Sequence, residues 1–326
     1  MKKLLSLVVV LVLSMTMIIG CQNKKAANED TATIKVVALK GPTAMGMVKM
    51  MDDAKTTKNY EFQIAAAVDE ITPLLVKGEV DIAAIPANLA SVLYNNTEGN
   101  VKVLAVNTLG VLYIVENGDS IQSIADLKGK TIYTSGKGAT PEYTLNYILK
   151  ENGIDPEKDV TIEYKSEHAE CVAVLASEEN AIAMLPQPFV TTAQMKNDKI
   201  RIALDMNTEW GALQTEQDKS ALVTGAIVVR TQFLEEHAEL VNAFLENYKD
   251  SVAYVNSNIE EAAVMIEEQD IIPAAVAKIA LPYCNIVFIE GEEMEAILKG
   301  YYAVLFEQNP KAVGGTIPDD AFYYKK

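Results

Sequence analysis

The chain has 326 residues, 49% apolar and 22% charged, with a formal net charge of −17. That is an ordinary globular composition. Phosphate contacts need clustered Lys and Arg, so a body this acidic excludes nucleic acid as a partner; a small anion held by local amides remains compatible with it.

Lys2 and Lys3 precede an uncharged apolar run, Leu4 to Ile19, and Gly20 supplies a small residue before Cys21. The run is shorter than the ~20 residues that span a bilayer comfortably, so residues 1–20 read as a secretory signal peptide. Ile18-Ile19-Gly20-Cys21 resembles the lipobox of bacterial lipoproteins. The resemblance implies cleavage before Cys21, lipid on its thiol, and anchoring to the outer, extracytoplasmic face of the cell membrane. In a cell with an outer membrane that is the periplasmic side. Residues 21–32 are polar and aperiodic, a tether reaching about 15–20 Å. Cys171 and Cys284 lie far apart and read as two separate buried thiols.

The mature chain, at roughly 300 residues, exceeds one typical core. Strand Ile34–Leu39 runs into Lys40-Gly41-Pro42-Thr43 and a Met-rich helix through Met51. Strand Tyr60–Ala65, a helix containing Glu70, the apolar run Asp81–Pro86 and a helix Leu89–Tyr94 follow. After a long segment, Leu104–Val115, the pattern starts again. Strand Thr131–Thr134 enters the turn Ser135–Pro141 and a helix through Lys150; then come Val160–Tyr164, a helix with Glu170, Asn180–Pro186 and Val190–Lys196. The second copy follows the first at an offset near 100, so that Glu70 answers Glu170 and Pro86 answers Pro186.

Strands alternating with helices imply parallel sheets covered on both faces. Two tandem copies therefore predict two α/β lobes. Leu104–Val115, broken at Asn107–Gly110, and Ala221–Arg230 read as paired crossover strands. Lobe 1 is expected over 33–108 plus 228–326 and lobe 2 over 109–227. Asn107, Thr108, Gly110, Thr224 and Gly225 form the expected hinge, with both glycines easing the turn between lobes. Helices are expected over Phe233–Asn256, Ile259–Gln269, Pro273–Ile279 and Met294–Gln308, with an extended Gly/Pro-containing tail, Asn309–Lys326.

Ligands of parallel α/β sheets bind outside the carboxyl ends of the strands. Two Gly-rich turns fall there, each opening a helix whose free N–H groups favour negative charge. The first is Gly41, Pro42, Thr43 and Ala44, with Met45 nearest among core-forming methionines. The second is Gly136, Lys137, Gly138, Ala139 and Thr140, with Thr140 as the expected N-cap before Pro141. As a matched pair they predict an anion or carboxylate site. Pro86, Ala87 and Asn88 end one strand, and Gln187 and Pro188 another. Asn88 either meets ligand or caps its helix, and Gln187 offers both donor and acceptor. Ser166-Glu167-His168 opens a helix at a third strand end. There His168 and Glu167 either contact a ligand or belong to a capping turn. His237 reads as a solvated helix position and Trp210 as part of a polar loop.

Other chemistries find little to build on. Gly136–Thr140 lacks P-loop spacing, and no dinucleotide fingerprint is present. With two histidines, no nucleophile elbow and no His-Glu-x-x-His pair, neither hydrolysis nor a zinc site is indicated. No catalytic residue, metal or cofactor is expected.

Leu39–Gly46, Gly78–Pro86, Ser123–Lys130 and Leu185–Val190, together with the lipobox, resemble the nitrate/sulfonate/taurine-type solute-binding proteins of ABC importers. That group includes binders of thiamine-pyrimidine precursors. The resemblance covers essentially the whole mature chain. It implies a periplasmic-binding-protein type II fold, two α/β lobes joined by two crossover strands with a ligand cleft between them. It implies capture of a small anionic or zwitterionic solute by a monomer, and delivery to a membrane permease served by a cytoplasmic ATPase. The cleft positions it implies are Gly41–Met45, Pro86–Asn88, Gly136–Thr140 and Gln187–Pro188. A surface enzyme or a signalling receptor on the same fold is the alternative.

Overall fold

A central parallel strand is buried on both faces because helices cover the sheet from either side. In β1 (Ile34–Leu39), Val36, Val37 and Ala38 are fully buried. It lies between two parallel partners, β2 (Tyr60–Ala65) and β3 (Ile82–Pro86). The sheet continues antiparallel through β10 (Val223–Arg230) and β4 (Val101–Leu109) to β11 (Ile286–Ile289). A second sheet contains β5 (Leu112–Glu116), β6 (Thr131–Ser135), β7 (Thr161–Lys165), β8 (Ile182–Pro186) and β9 (Arg201–Asp205). This computed structural model describes residues 32–215 and 219–326. The expected signal peptide, Cys21 and the expected tether up to residue 31 lie outside them.

The two sheets have one plan. From the edge, the first runs β2-β1-β3-β10-β4, then β11, and the second runs β7-β6-β8-β5-β9. In each, three parallel strands meet an antiparallel strand that arrives from the other lobe. The helices α3 (Val68–Lys77) and α4 (Ala87–Asn96) recur as α6 (His168–Ser177) and α7 (Phe189–Lys196). The offset is visible residue by residue: β3 and β8 have the same bounds 100 apart.

Within the first copy, α1 (Pro42–Met45) and α2 (Val48–Thr57) follow β1. Met47, Val48, Met50 and Met51 join a core with Phe244, Tyr248 and Val252 of α10 (Ala238–Ser257). Lobe 2 adds α5 (Thr140–Glu151) and α8 (Met206–Ala212). Lobe 1 is completed by α9 (Thr231–Glu236), α11 (Ile259–Glu268), α12 (Ala274–Ala280) and α13 (Gly291–Gln308). No helix among the described residues is long and apolar enough to cross a membrane.

The two arginines of the sequence serve one lobe each. Arg230 donates to Asp81 at 3.0 Å and to the Val80 carbonyl. Arg201 pairs with the fully buried Glu116, which also accepts from the Ser120 amide and hydroxyl and the Ile121 amide. Glu116 ends β5 and Arg230 ends β10, and both strands run antiparallel to their neighbours β8 and β3. The pairs therefore sit at the sheet edges opposite the carboxyl ends of the parallel strands.

Several sequence expectations change. The helix expected over Phe233–Asn256 breaks at His237, whose ψ of 41° is non-helical; Phe233 and Leu234 before the break and Val241, Phe244 and Leu245 after it enter one core. His237 is a half-buried junction, its ring 4.8 Å from that of Phe233, rather than a solvated helix position. Trp210 lies in a helix, not a loop. Asp205 caps α8 by accepting from the Asn207 and Thr208 amides, and Met206 and Trp210, four residues apart, face inward together. The tail from Asn309 is not simply extended. It forms short 3-10 turns at Pro310–Val313 and Asp320–Phe322, and Tyr323 bridges Val103.

Neither hinge glycine has a turn conformation. A Cβ on Gly110 would meet Leu222 at 2.7 Å and Asn207 at 2.9 Å, and one on Gly225 would collide with Asn107 Oδ1. They are small because the two crossovers pass close together. Thr224 and Asn107 are each skipped by the β4–β10 register, which pairs Val223 with Leu109, Gly225 with Thr108, and Ala226 with Val106. Both are β-bulges.

Candidate functional site

Gly41–Met45 follows β1 and Pro86–Asn88 closes β3, so both lie at one edge of the first sheet. Gly136–Thr140, Glu167–His168 and Gln187–Pro188 follow β6, β7 and β8 at the matching edge of the second. The first crossover joins these edges. Asn107 Nδ2 donates to the Thr43 carbonyl at 3.0 Å, and the Gln187 amide donates to the Val111 carbonyl at 2.9 Å. One segment, residues 107–111, thus carries a half-site at either end.

In lobe 1, Gly41 has φ 126°, and the Ala44 and Met45 amides turn back to its carbonyl. The α1 helix is a single turn, so its dipole is small and the expected long-helix N-terminus is not there. Ala44 and Met45 are fully buried among core residues, while Pro42 is half-buried. Asn88 is the second residue of α4 behind an N-cap at Pro86, and it does not cap the helix. Its side-chain amide makes no hydrogen bond among the described residues. Ala87 is buried, and its carbonyl accepts from the Tyr302 hydroxyl at 2.9 Å.

In lobe 2, Gly136 and Gly138 take φ of 81° and 77°, which only glycine adopts cheaply. The N-cap of α5 is Ala139, not Thr140. Thr140 is the first helical residue, and its hydroxyl meets Tyr301 of lobe 1 at 3.2 Å. Glu142, in the first turn of α5, accepts from the Gly138 amide at 2.5 Å. This turn therefore already holds one anion, its own carboxylate. Lys137 is exposed and its ammonium lies 5.5 Å from the centre of the Tyr164 ring.

His168 and Gln187 are the chemically richest positions. His168 begins α6 behind an N-cap at Glu167, which is exposed and makes no side-chain cap bond. Its Nδ1 lies 2.6 Å from Ser135 Oγ, and its ring lies 5.0 Å from Phe189. Burial holds the imidazole below its usual pKa, favouring the neutral form. Ser135 Oγ also lies 3.4 Å from Nε2, and the neutral ring carries its single proton on one nitrogen and accepts at the other. Gln187 is 2% exposed. Its Oε1 accepts from the Thr191 amide and hydroxyl, capping α7, while Nε2 is buried with no partner. Pro188, half-buried after a cis peptide bond, is the N-cap itself. Ser135 and Phe189 were not among the sequence candidates; the only signal was their place at a strand end and at a helix start.

Both arginines are committed to buried acids, so the polar groups at these strand ends are amides, hydroxyls, an imidazole and the Lys137 ammonium. Ser135 and His168 form half of a hydrolytic array, with no carboxylate on the other ring nitrogen among the described residues. No group of His, Cys, Asp or Glu among those residues is placed to hold a metal. A groove of about 970 Å³ on lobe 2, lined by Lys137, Glu142, Lys150 and Tyr164, shares only Lys137 with the strand ends. It touches no hinge residue, so volume alone does not mark the site.

The lobes touch on both flanks of the strand ends. On one flank Gln308 Nε2 donates to the Tyr143 carbonyl and Asn309 Nδ2 to its hydroxyl. On the other, α7 packs against α12 and the Tyr113 hydroxyl donates to the Tyr283 carbonyl at 2.7 Å.

A family model described as a phosphonate ABC-transporter periplasmic substrate-binding protein matches residues 48–270. No curated protein matches the chain in sequence. An ABC-transporter structure from Parabacteroides distasonis is 24% identical, with a TM-score of 0.76, over 91% of this chain and 100% of that one. The periplasmic aliphatic sulphonate binding protein SsuA of Escherichia coli is 17% identical, with a TM-score of 0.70, over 90% and 92%. The alkanesulfonate-binding SsuA of Xanthomonas axonopodis, bound to MOPS, is 12% identical, with a TM-score of 0.60, over 88% and 95%. At these identities the likeness carries the two-lobed fold.

Proposed function

The chain belongs to the phosphonate-type periplasmic substrate-binding family of ABC transporters, and from that premise we propose that it captures a sulfonate- or phosphonate-like oxyanion between its lobes. Members of this family are transport solute-binding proteins rather than enzymes, and they work outside the cytoplasm with a membrane permease and its ATPase. In this reading lobe 1 comprises 33–108 plus 228–326, lobe 2 comprises 109–227, and the protein is a non-catalytic monomer held at the membrane by lipid on Cys21.

The observation that carries the oxyanion reading is the buried, unpartnered Gln187 Nε2 at a strand end. A buried donor without a partner costs about 1–3 kcal/mol, and a ligand oxygen would recover it. The Gly136 and Lys137 amides, which have no partner among the described residues, and the neutral His168 ring beside Ser135 offer neutral polar groups at the same edge. Such groups suit the several oxygens of a sulfonate or phosphonate. Asn88 and the Gly41–Thr43 turn complete the reading from lobe 1.

Mass spectrometry of small molecules released from the purified protein would identify the natural ligand. In parallel, ethanesulfonate, taurine, methylphosphonate and nitrate would each be tested by thermal shift. A ligand at 100 times its dissociation constant stabilises the fold by about 2.7 kcal/mol. If none of the four stabilises the protein at millimolar concentration and no oxyanion co-purifies, the reading fails.

A further inference from the structure

Asn107 is 1% exposed and sits at a β-bulge. The ladder on one side pairs Thr108 with Gly225 and Val106 with Ala226; on the other it pairs Thr108 with Ile286 and Val106 with Ile289. Asn107 is the extra residue against β10, while against β11 the extra residue lies on β11 itself. A bulge re-aims a side chain, and here the amide reaches from the strand to the Thr43 carbonyl, 64 residues earlier. Its other end is fixed too. Thr108 Oγ1 donates to Asn107 Oδ1 at 3.1 Å, and Gly225 lies so close that any Cβ would collide with that oxygen. Gly225 in turn pairs with Pro86, the end of another site strand.

Four residues on, the Val111 carbonyl accepts from the Gln187 amide. We infer that Asn107 is a positioning residue that couples the hinge to the site. The bulge makes the Gly41–Met45 turn of lobe 1 move with the first crossover, whose far end holds Gln187 of lobe 2. A change in the angle between lobes is thereby transmitted to both half-sites through residues 107–111, without any ligand contact by Asn107 itself.

The inference rests on the oxyanion-binding reading for its purpose, and its test is separable from that reading. Amide hydrogen exchange would be compared in ligand-free wild type, Asn107→Ala and Thr108→Val. Removing the Asn107 amide should raise exchange at Ala44 and Met45 at least tenfold, leaving Ala183–Leu185 in the core of lobe 2 unchanged. Thr108→Val removes only the orienting hydroxyl, is nearly isosteric, and should give a smaller rise at the same amides. Ethanesulfonate and methylphosphonate affinities, measured by calorimetry, should fall at least tenfold in Asn107→Ala. Unchanged exchange at Ala44 and Met45 in both variants would overturn the coupling. A wild type that binds none of ethanesulfonate, taurine, methylphosphonate and nitrate, and with which no oxyanion co-purifies, would refute the ligand reading, while the exchange data would still decide the role of Asn107.

Discussion

Ser135 Oγ lies 2.6 Å from His168 Nδ1, joining the end of β6 to the start of α6. Burial lowers the imidazole pKa from 6.5, so the folded protein holds the neutral ring more readily than the unfolded chain does. Stability from this group is present above 6.5 and is lost as pH falls through the lower folded value. The melting temperature of wild type should therefore fall more steeply than that of His168→Asn as pH drops from neutral towards 5. Parallel melting profiles would show that the ring is not held neutral. Where ligand is bound, His168→Asn should also weaken affinity by about tenfold, worth about 1.4 kcal/mol.

Gln187 predicts a loss of binding with little change in stability. Gln187→Met loses the cap on α7, costing about 1 kcal/mol. It also removes a buried donor whose unpaired state costs about 1–3 kcal/mol. The ligand-free variant should thus unfold in urea within about 1 kcal/mol of wild type. Its affinity for the best-bound oxyanion should fall at least tenfold. Unchanged affinity by calorimetry would remove Gln187 from the site.

How much of this was legible follows from what each signal depends on. The repeat was readable because strand ends carry Pro86 and Pro186, and these act through local backbone geometry. The strand-end turns were readable for the same reason. Side-chain choices made across the chain were not. Ser135 setting His168 and Asn107 reaching Thr43 depend on packing between distant elements, whereas Glu142 filling the Gly138 amide is local and its i,i+4 spacing was the signal available. Trp210 was misplaced because the polar residues around it, Asn207, Thr208 and Glu209, masked an inward pair with i,i+4 spacing. The Asp205 cap was the signal available for that helix.

The hinge glycines test close approach against flexibility. Gly225→Ala must displace Asn107 Oδ1 and Thr108. Overpacking of this kind costs about 1–3 kcal/mol. A Cβ on Gly138 meets nothing, so Gly138→Ala costs only its left-handed φ of 77°, about 1 kcal/mol. Denaturant titrations should rank Gly225→Ala as the more damaging. Equal or reversed losses would favour turn geometry over crowding at Gly225.

Arg201 and Arg230 predict stability losses without binding losses. Arg201→Met leaves Glu116, fully buried, without its cation. Breaking such a pair costs about 3 kcal/mol or more. Asp81 is slightly exposed beside Arg230, so Arg230→Met should cost less. Both pairs lie at the edges opposite the strand ends, so oxyanion affinity measured below the lowered melting point should stay within about twofold, or 0.4 kcal/mol. A tenfold loss in either variant would bring an arginine into recognition.

Trp210 decides which flank opens. Its ring lies 4.4 Å from that of Tyr147 in lobe 2 and 5.9 Å from that of Tyr301 in lobe 1, and its Nε1 donates to Ser220. One continuous apolar core includes Trp210, Tyr301, Leu222 and Leu298 from both lobes. Gly300 of α13 lies against Ser220 so closely that a Cβ would come within 2.7 Å of its Cβ. Parting the lobes here would expose that core. On the other flank, α7 and α12 are short, and Tyr113 and Tyr283 share one hydrogen bond. Opening on that side exposes far less apolar surface, each Å² of which costs about 25 cal/mol. The flank through Trp210 is thus the pivot. Acrylamide should quench this single tryptophan poorly, and equally so with and without ligand. Labels at Lys196 and Lys278 should instead approach each other on ligand addition. Strong quenching of the ligand-free protein, relieved by ligand, would place the opening on the Trp210 flank and reverse the assignment.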